Sequence, residues 1–384
     1  MAPSAPAFVH LCAGLEGSPP LDLLATAYRH SALDLLEKAL TSSAFDPVVL
    51  ATDDPGLAQD AEGLGVKVAS LQGGGFGAAL LQAVAVAGKS RLVYWGRGTG
   101  ALASPAGLRL WSERALALEQ GVLANNLYST DILALHPAAA LQRIALPPRD
   151  NGLALALCRQ AGLTPQALEP TLPWLFDIDT PVDLAILALL GPPSPRLAAW
   201  LGAQEWDLSR LQAVLRVLGD PFSQLLVAGR VGSHAWSALE RQAACKVRVY
   251  SEERGLAAEG REEQGPARSL LGMLLEDRGP GGLMTALAEL AQAALLDSRV
   301  LLAQRGHAVS RQDRVWSDLG VASAIADPWL RELTAAVAGA RMPVVLGGHS
   351  LMSGGLLALG EIARRGAGPG RPAFPPEPPA KSKR

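Results

Sequence analysis

The sequence predicts an α/β protein: a Rossmann-like, mostly parallel sheet in the first half, followed by a mostly helical second domain. Three observations carry that expectation. Between residues 8 and 95 short apolar runs alternate with helix-like stretches, a β-α-β-α-β-α-β rhythm with brief connections. A proline-rich hinge, Gly191-Pro192-Pro193-Ser194-Pro195, interrupts the chain near its middle. Beyond it, apolar residues recur mainly at the spacing of amphipathic helices. At 384 residues the chain exceeds what one core usually serves. The expected division is an α/β domain over 1–190, a linker at 191–195, a helical domain over 196–365 and a Gly/Pro-rich tail over 366–384. That tail carries too little apolar surface to order itself.

The elements follow in order. A strand at 8–12 turns at Ala13-Gly14, and apolar spacing predicts a helix at 32–40. A second strand at 47–52 closes with Asp53-Asp54-Pro55 ahead of a helix at 56–64 and a strand at 66–70. Gly73-Gly74-Gly75 opens a helix at 78–87, and 91–95 is again strand-like. Ligands of such sheets bind beyond the carboxyl ends of the strands, so the loops at 13–17, 52–55 and 96–99 are the ones to watch. The second part reads as helices at 196–203, 208–218, 234–243, 267–275 and 282–296. Short strands are expected at 225–228 and 246–250, and a last one at 343–347 precedes a helix at 355–364.

Composition narrows the function classes. The hydrophobic share of 49% and charged share of 18% fit a compact globular protein. A net charge of −2 argues against a nucleic-acid partner, because the only basic cluster, Lys381, Lys383 and Arg384, ends the proline-rich tail. Cys12, Cys158 and Cys245 are sparse, odd in number and lack metal-ligand spacing, as in a reducing compartment. Apolar runs such as 184–190 are too short to span a bilayer, and the start shows no basic region followed by a long apolar run. The expectation is a cytoplasmic protein with no membrane partner. The histidines show no spacing suited to zinc.

Candidate chemistry begins at Phe176-Asp177-Ile178-Asp179-Thr180-Pro181-Val182-Asp183-Leu184. On an extended chain Asp177 and Asp179 point to one face. Thr180 then suits an N-cap, Pro181 the first helical position and Asp183 the helix dipole. Two readings are open: a capped strand-to-helix junction, or carboxylates that hold a divalent cation near phosphates. Asn125, Asn126 and Asp131 precede an apolar strand at 132–135. They read either as amides for a base or sugar with Asp131 as a metal ligand, or as a polar turn. Arg149-Asp150-Asn151 is either a substrate loop or a helix cap. Gly73-Gly74-Gly75 offers backbone amides to an anion but lacks the lysine of a phosphate loop.

Three patches of the first half resemble a known family over about residues 8–190. Residues 176–184 are similar to the D-I-D-T-P-E-D-L segment of the nucleotide-diphospho-sugar transferase superfamily of GT-A fold, with Val182 at the acidic position. Residues 48–55 and Leu11-Cys12-Ala13-Gly14 resemble its second strand and the start of its nucleotide loop. The likeness is to molybdenum-cofactor and 2-phospho-lactate guanylyltransferases. The resemblance implies a Mg2+-dependent nucleotidyltransferase acting between an NTP and a phosphorylated small molecule or cofactor. Asp177 and Asp179 would be catalytic and, with Asp131, metal-binding, while Ala13, Gly14, Gly17, Arg97 and Asn126 would contact the nucleotide. Two departures stand out. The first loop has Glu16 and no basic residue before Arg29 or Lys38, and Gly96-Arg97 stands where the family has a metal-binding aspartate. Arginine cannot ligate Mg2+, but its planar fork suits a phosphate. The alternative is a catalytically degenerate fold that binds a nucleotide or a protein.

In the second half, Gly348-His349-Ser350 follows a strand but lacks the last glycine of a nucleophile elbow, and no histidine follows His349. It reads as a glycine-rich turn or an anion-binding or interface loop. Arg230 and Arg254 read as anion contacts, or as partners of Glu240, Glu252 or Glu253. This half is also where a protein partner or a second copy is expected to dock.

Overall fold

The computed structural model describes residues 4–15, 17–255, 267–306 and 308–366; Glu16 and residues 367–384 of the tail lie outside them. The first half is built on β1 (Ala7–Leu11), β2 (Val48–Thr52), β3 (Lys67–Ser70), β4 (Leu92–Trp95), β5 (Gly121–Ala124), β6 (Ile132–His136) and β7 (Thr164–Ala167). They form one sheet in the order β3-β2-β1-β4-β6-β5-β7. Only β6 runs antiparallel to its neighbours, against β4 and β5. The strands β1, β2 and β4 are buried on both faces, which is why they read as unbroken apolar runs. The expected fold class is the one found.

The second half carries its helices around a second sheet. Its strands are β8 (Gln224–Gly229), β9 (Lys246–Ser251), β10 (Ala293–Asp297) and β11 (Val344–Gly347). All pair in parallel, in the order β11-β10-β8-β9. Three of these strands were expected. The fourth, β10, corrects the helix expected over 282–296: a helix ends at Ala288 and Ala293–Asp297 is the central strand. A short apolar run buried on both faces has no periodicity that separates strand from helix.

The two halves share a core rather than a loose tether. One apolar cluster runs from Phe8 and Leu35 through Leu184 and Ile186 to Leu225, Leu295 and Leu356. The proline-rich hinge is fastened to the long helix Leu21–Thr41. The Ser194 hydroxyl accepts from Lys38 Nζ at 2.7 Å and donates to the Ala101 carbonyl at 2.7 Å. The buried Asp34 carboxylate accepts from Arg196 N and Nη1 and from Leu197 N, at 3.0–3.2 Å. It thereby caps the helix Pro195–Gly202 from outside. At Gly354 the chain passes so close to the first half that a Cβ there would lie 2.4 Å from Phe176 Cα.

No helix among the described residues is long and apolar enough to cross a membrane. The three cysteines are free, Cys12 and Cys245 buried and Cys158 half-buried.

Because Asp34 is buried with three donors aimed at it, Asp34→Ala leaves the Arg196 and Leu197 amides unpaired, while Arg196 Nη1 keeps Glu37. We expect a loss of about 3 kcal/mol, read as a lower urea midpoint with an unchanged slope. A variant within about 0.5 kcal/mol of the wild type rejects the clasp.

Candidate functional site

The carboxyl ends of β1, β2 and β4 and those of β8, β10 and β11 open onto one cavity of about 730 Å3. That lies inside the roughly 300–1,000 Å3 range of small-molecule sites. Each half contributes the loops that a parallel sheet presents at that edge.

The first half supplies an acidic wall. Ile178 N donates to the Gly98 carbonyl at 3.0 Å, and Thr99 and Asp177 form a short antiparallel bridge. This contact sends Ile178 into the core and leaves Asp177 and Asp179 lining the cavity. Neither caps the following helix. Thr180 and Asp183 do so as a capping box, so the structural reading of the segment is satisfied without its two outer carboxylates. Asp131, just before β6, and Asp150, from the turn Asp150–Gly152, complete the wall. Burial, and then the charges of Asp179 and Asp131, push the Asp177 carboxyl well above the ordinary range. Burial and the charges of Asp150 and Asp179 do the same to Asp131. Burial takes Asp150 up to about 6, against a hydrogen bond from the Tyr94 hydroxyl at 3.1 Å.

Asp150 answers the missing aspartate after β4. A Cβ on Gly96 would lie 2.6 Å from Asp150 Oδ2 and 3.2 Å from the Asp131 carbonyl. A carboxylate from a loop 54 residues later thus lies beside position 96, where the family resemblance leads one to expect an aspartate. From the sequence, residues 149–151 read as either a substrate loop or a helix cap, and nothing in the residue order ties Asp150 to Gly96.

The nucleotide-loop residues fare unevenly. Ala13, Gly14, Arg97 and Asn126 line the cavity, whereas Gly17 is exposed and does not. Arg97 Nη1 donates to the carbonyls of Ala13 and, at 3.0 Å, Gly14, and the guanidinium lies 5.0 Å above the Tyr28 ring. Expected as a phosphate contact, it first staples the loop, with its remaining donors left at the cavity. Asp53 grips the same loop by accepting from Gly14 N at 3.0 and 3.1 Å. Arg29 and Lys38 do not reach in: Arg29 pairs with Asp54, and Lys38 is buried against Ser194. The Asn126 side chain accepts from Tyr128 N at 3.0 Å, and Asn125 is occupied by Asp131 N, Ile132 N and the Trp174 carbonyl. Gly73 and Gly75 line the cavity at the start of the helix Gly75–Ala87.

The second half supplies a basic wall. Arg230, Arg254, Arg299, Arg311 and Arg314 all line the cavity. Two are braced from behind: Arg230 by Asp297 (Nε–Oδ2 2.6 Å) and Arg299 by a two-point contact with Asp318 at 2.6 and 2.7 Å. The expected pairing of Arg230 with a nearby glutamate is thus replaced by Asp297. Ser350 is no nucleophile, because its hydroxyl donates to Asp183 Oδ2 at 2.7 Å. His349 lines the cavity, and burial, with Arg230 nearby, pushes its imidazole down to about 4.

Among the described residues no three or more His, Cys, Asp or Glu side chains converge as a ready-made metal site. The expected trio of Asp131, Asp177 and Asp179 shares the wall but is not such a cluster. Mg2+ asks for less: one or two carboxylates, with water and substrate phosphates completing its octahedron. Asp177, raised by burial and then by neighbouring carboxylates, and Asp179 beside it on the same wall fit that requirement.

Fold and site together define a two-part α/β protein with a composite cleft, acidic on one wall and basic on the other. No protein-family model and no curated protein matches the sequence. Among solved structures the chain is similar to CMP:2-keto-3-deoxy-manno-octonic acid synthetase complexed with CTP. The identity is 14% and the TM-score 0.36, over 47% of this chain and 95% of that one. The fold class rests on the strand order, not on that likeness.

The acidic wall makes the ligand-free protein sensitive to pH. The Asp150 carboxyl titrates near 6 when folded, above its unfolded value of 3.8. Its contribution to stability is therefore fully present below pH 3.8 and lost as pH rises through about 6. We expect Asp150→Asn to be more stable than wild type at pH 7–8, by roughly 1–3 kcal/mol, with the difference vanishing near pH 4. Melting curves across that range check it; a difference independent of pH rejects it.

Proposed function

We propose that the protein transfers a nucleotidyl group from an NTP to a phosphorylated small molecule or cofactor, with Mg2+ at the acidic wall. The observation that supports this most is the division of a single cleft into carboxylates from one half and arginines from the other. A site that brings two polyanions together needs both: a cation to shield phosphates on one side, and arginine forks to hold them on the other. Asp177 and Asp179, with Asp131 or Asp150, are the residues to hold the cation. The bound metal would neutralise charge on the triphosphate.

The chain's own groups do the rest. The loop at Ala13 and Gly14, clamped between Asp53 and Arg97, gives the nucleotide a fixed edge. Amides at Gly73 and Gly75 and the side chain of Asn126 lie along the same rim. In the reaction a phosphate oxygen of the acceptor attacks the α-phosphorus. A new P–O–P bond forms, the bond from that phosphorus to the bridging oxygen breaks, and pyrophosphate leaves with the electron pair. Positioning and charge neutralisation suffice for such a step, and no protein nucleophile is required.

One observation favours a second reading, a nucleotide-binding or protein-interaction module without catalysis: neither Arg29 nor Lys38 reaches the first loop. A partner docking on the second half would meet Phe222, which is 95% exposed, and Leu270.

Thermal shift with ATP, GTP, CTP and UTP, each with and without Mg2+, separates the two. Stabilisation by one nucleotide, dependent on Mg2+ and abolished in Asp177→Asn and Asp179→Asn, is the outcome expected of a transferase. Pyrophosphate release on adding phosphorylated acceptors then identifies the second substrate. Nucleotide binding that ignores Mg2+ and both substitutions supports the nucleotide-binding module, and no binding at all overturns the transferase and leaves the protein-interaction module.

A further inference from the structure

The basic wall holds an arginine, Arg314, whose side chain has no carboxylate of its own among the described residues. Arg299 is fixed by Asp318, whose side chain is fully buried, so its guanidinium cannot swing away from the cavity. Arg314 sits one helical turn before Asp318, on the helix Arg311–Asp318, and is half-buried. Its side chain makes no hydrogen bond or ion pair among the described residues, yet it lies within the fields of Arg299, Arg149 and Arg311. Asp318, the nearest counter-charge, is already engaged by Arg299. A half-buried guanidinium held against three others and given no carboxylate of its own is a position that folding alone does not favour.

These four arginines come from both halves, Arg149 from the first and the others from the second, and all line the cavity. Across from them stands Asp179, close enough to be felt by Arg230 and Arg299. We infer that Arg149, Arg299, Arg311 and Arg314 form a seat for a dianionic phosphomonoester, the phosphate of the acceptor substrate. This rests on the transferase reading and deepens it, by giving the second half a definite task. Arg299 and Arg314 offer planar donor forks that suit phosphate oxygens. The seat faces the carboxylate wall, so a phosphate held there presents an oxygen toward the metal-binding end. Specificity for a phosphorylated acceptor then resides mainly in the second half, with Arg149 added from the first, and recognition of the nucleotide in the first.

The test uses the full chain with two probes, inorganic phosphate and the stabilising NTP with Mg2+, each titrated against wild type, Arg314→Ala, Arg314→Lys and Arg311→Ala. Phosphate is expected to raise the melting temperature, less so at higher salt. Arg314→Ala should weaken phosphate about tenfold or more, and Arg314→Lys by less, because lysine keeps charge without the fork. Nucleotide affinity should stay within about twofold. Without ligand, Arg314→Ala should melt at or above wild type, because it removes a repelled charge; Arg314→Lys and Arg311→Ala report on the seat independently of that variant's folding.

No phosphate effect on the wild type overturns the inference. So does a loss of nucleotide affinity in Arg314→Ala equal to the loss for phosphate, which assigns these arginines to the triphosphate. Phosphate binding through Arg314 with no nucleotide bound at all upholds the anion seat while the transferase reading fails. Nucleotide binding without phosphate binding leaves the transferase reading and removes the seat.

Discussion

One oxygen atom holds the cleft together. Oδ2 of Asp183 accepts from Asp179 N (3.0 Å), Thr180 N (2.7 Å), Thr180 Oγ1 (2.9 Å) and Ser350 Oγ (2.7 Å). The first three shape the turn that frees Asp177 and Asp179 for the cavity; the fourth ties that turn to the second half. The side chain is wholly buried and its other oxygen has no hydrogen-bond partner among the described residues, so burial takes the carboxyl up to about 7 against those hydrogen bonds. Four donors converging on one atom leave few alternative arrangements of the turn. The position of the acidic wall and its distance from the basic wall therefore depend on the same group.

Each wall gathers charge of one sign. Carboxyls at 131, 150 and 177 are raised by burial and by neighbouring carboxylates, Asp179 among them, and Arg314 is disfavoured by burial and by neighbouring arginines. Direct neutralisation across the cleft would have been the stable solution for a purely structural protein. Instead, the braces lie behind the cavity: Asp297 and Asp318 hold Arg230 and Arg299 from the far side. The charges facing the cavity are thus kept apart by the packing of two sheets and their shared core. Groups pre-set at such a cost in stability are characteristic of sites that bind charged ligands.

Much of the frame was legible in the residue order. The strands β1 to β4 were apparent as apolar runs between helical stretches, and β8, β9 and β11 through their apolar and β-branched residues. The capping role of Thr180, Pro181 and Asp183 followed from local chemistry alone. What was not legible had physical causes. β7, Thr-Pro-Gln-Ala, is exposed throughout and carries no apolar signal. β10 is apolar on both faces and reads equally as helix. The site was half visible: Asp131, Asp177, Asp179, Ala13, Gly14, Arg97 and Asn126 do line one cavity, while Gly17 does not. Of the basic wall only Arg230 and Arg254 were read as anion contacts; its arginines are scattered over residues 230–314, and the strand ends of the second sheet together with the helix Arg311–Asp318 gather them.

Gly96 and Asp150 show why an absent residue is weak evidence of an absent function. Read along the chain, the exchange of an aspartate for Gly96-Arg97 removes a metal ligand and introduces a cation. Read in space, the glycine is what makes room: any side chain at 96 would collide with Asp150 Oδ2. The same glycine lets the Tyr94 hydroxyl reach that carboxylate, and Arg97 turns toward the first loop, where it bonds two carbonyls. A carboxylate lines the wall beside position 96 although it comes from another loop. A carboxylate requirement belongs to a point in space, and the chain has more than one way to reach it.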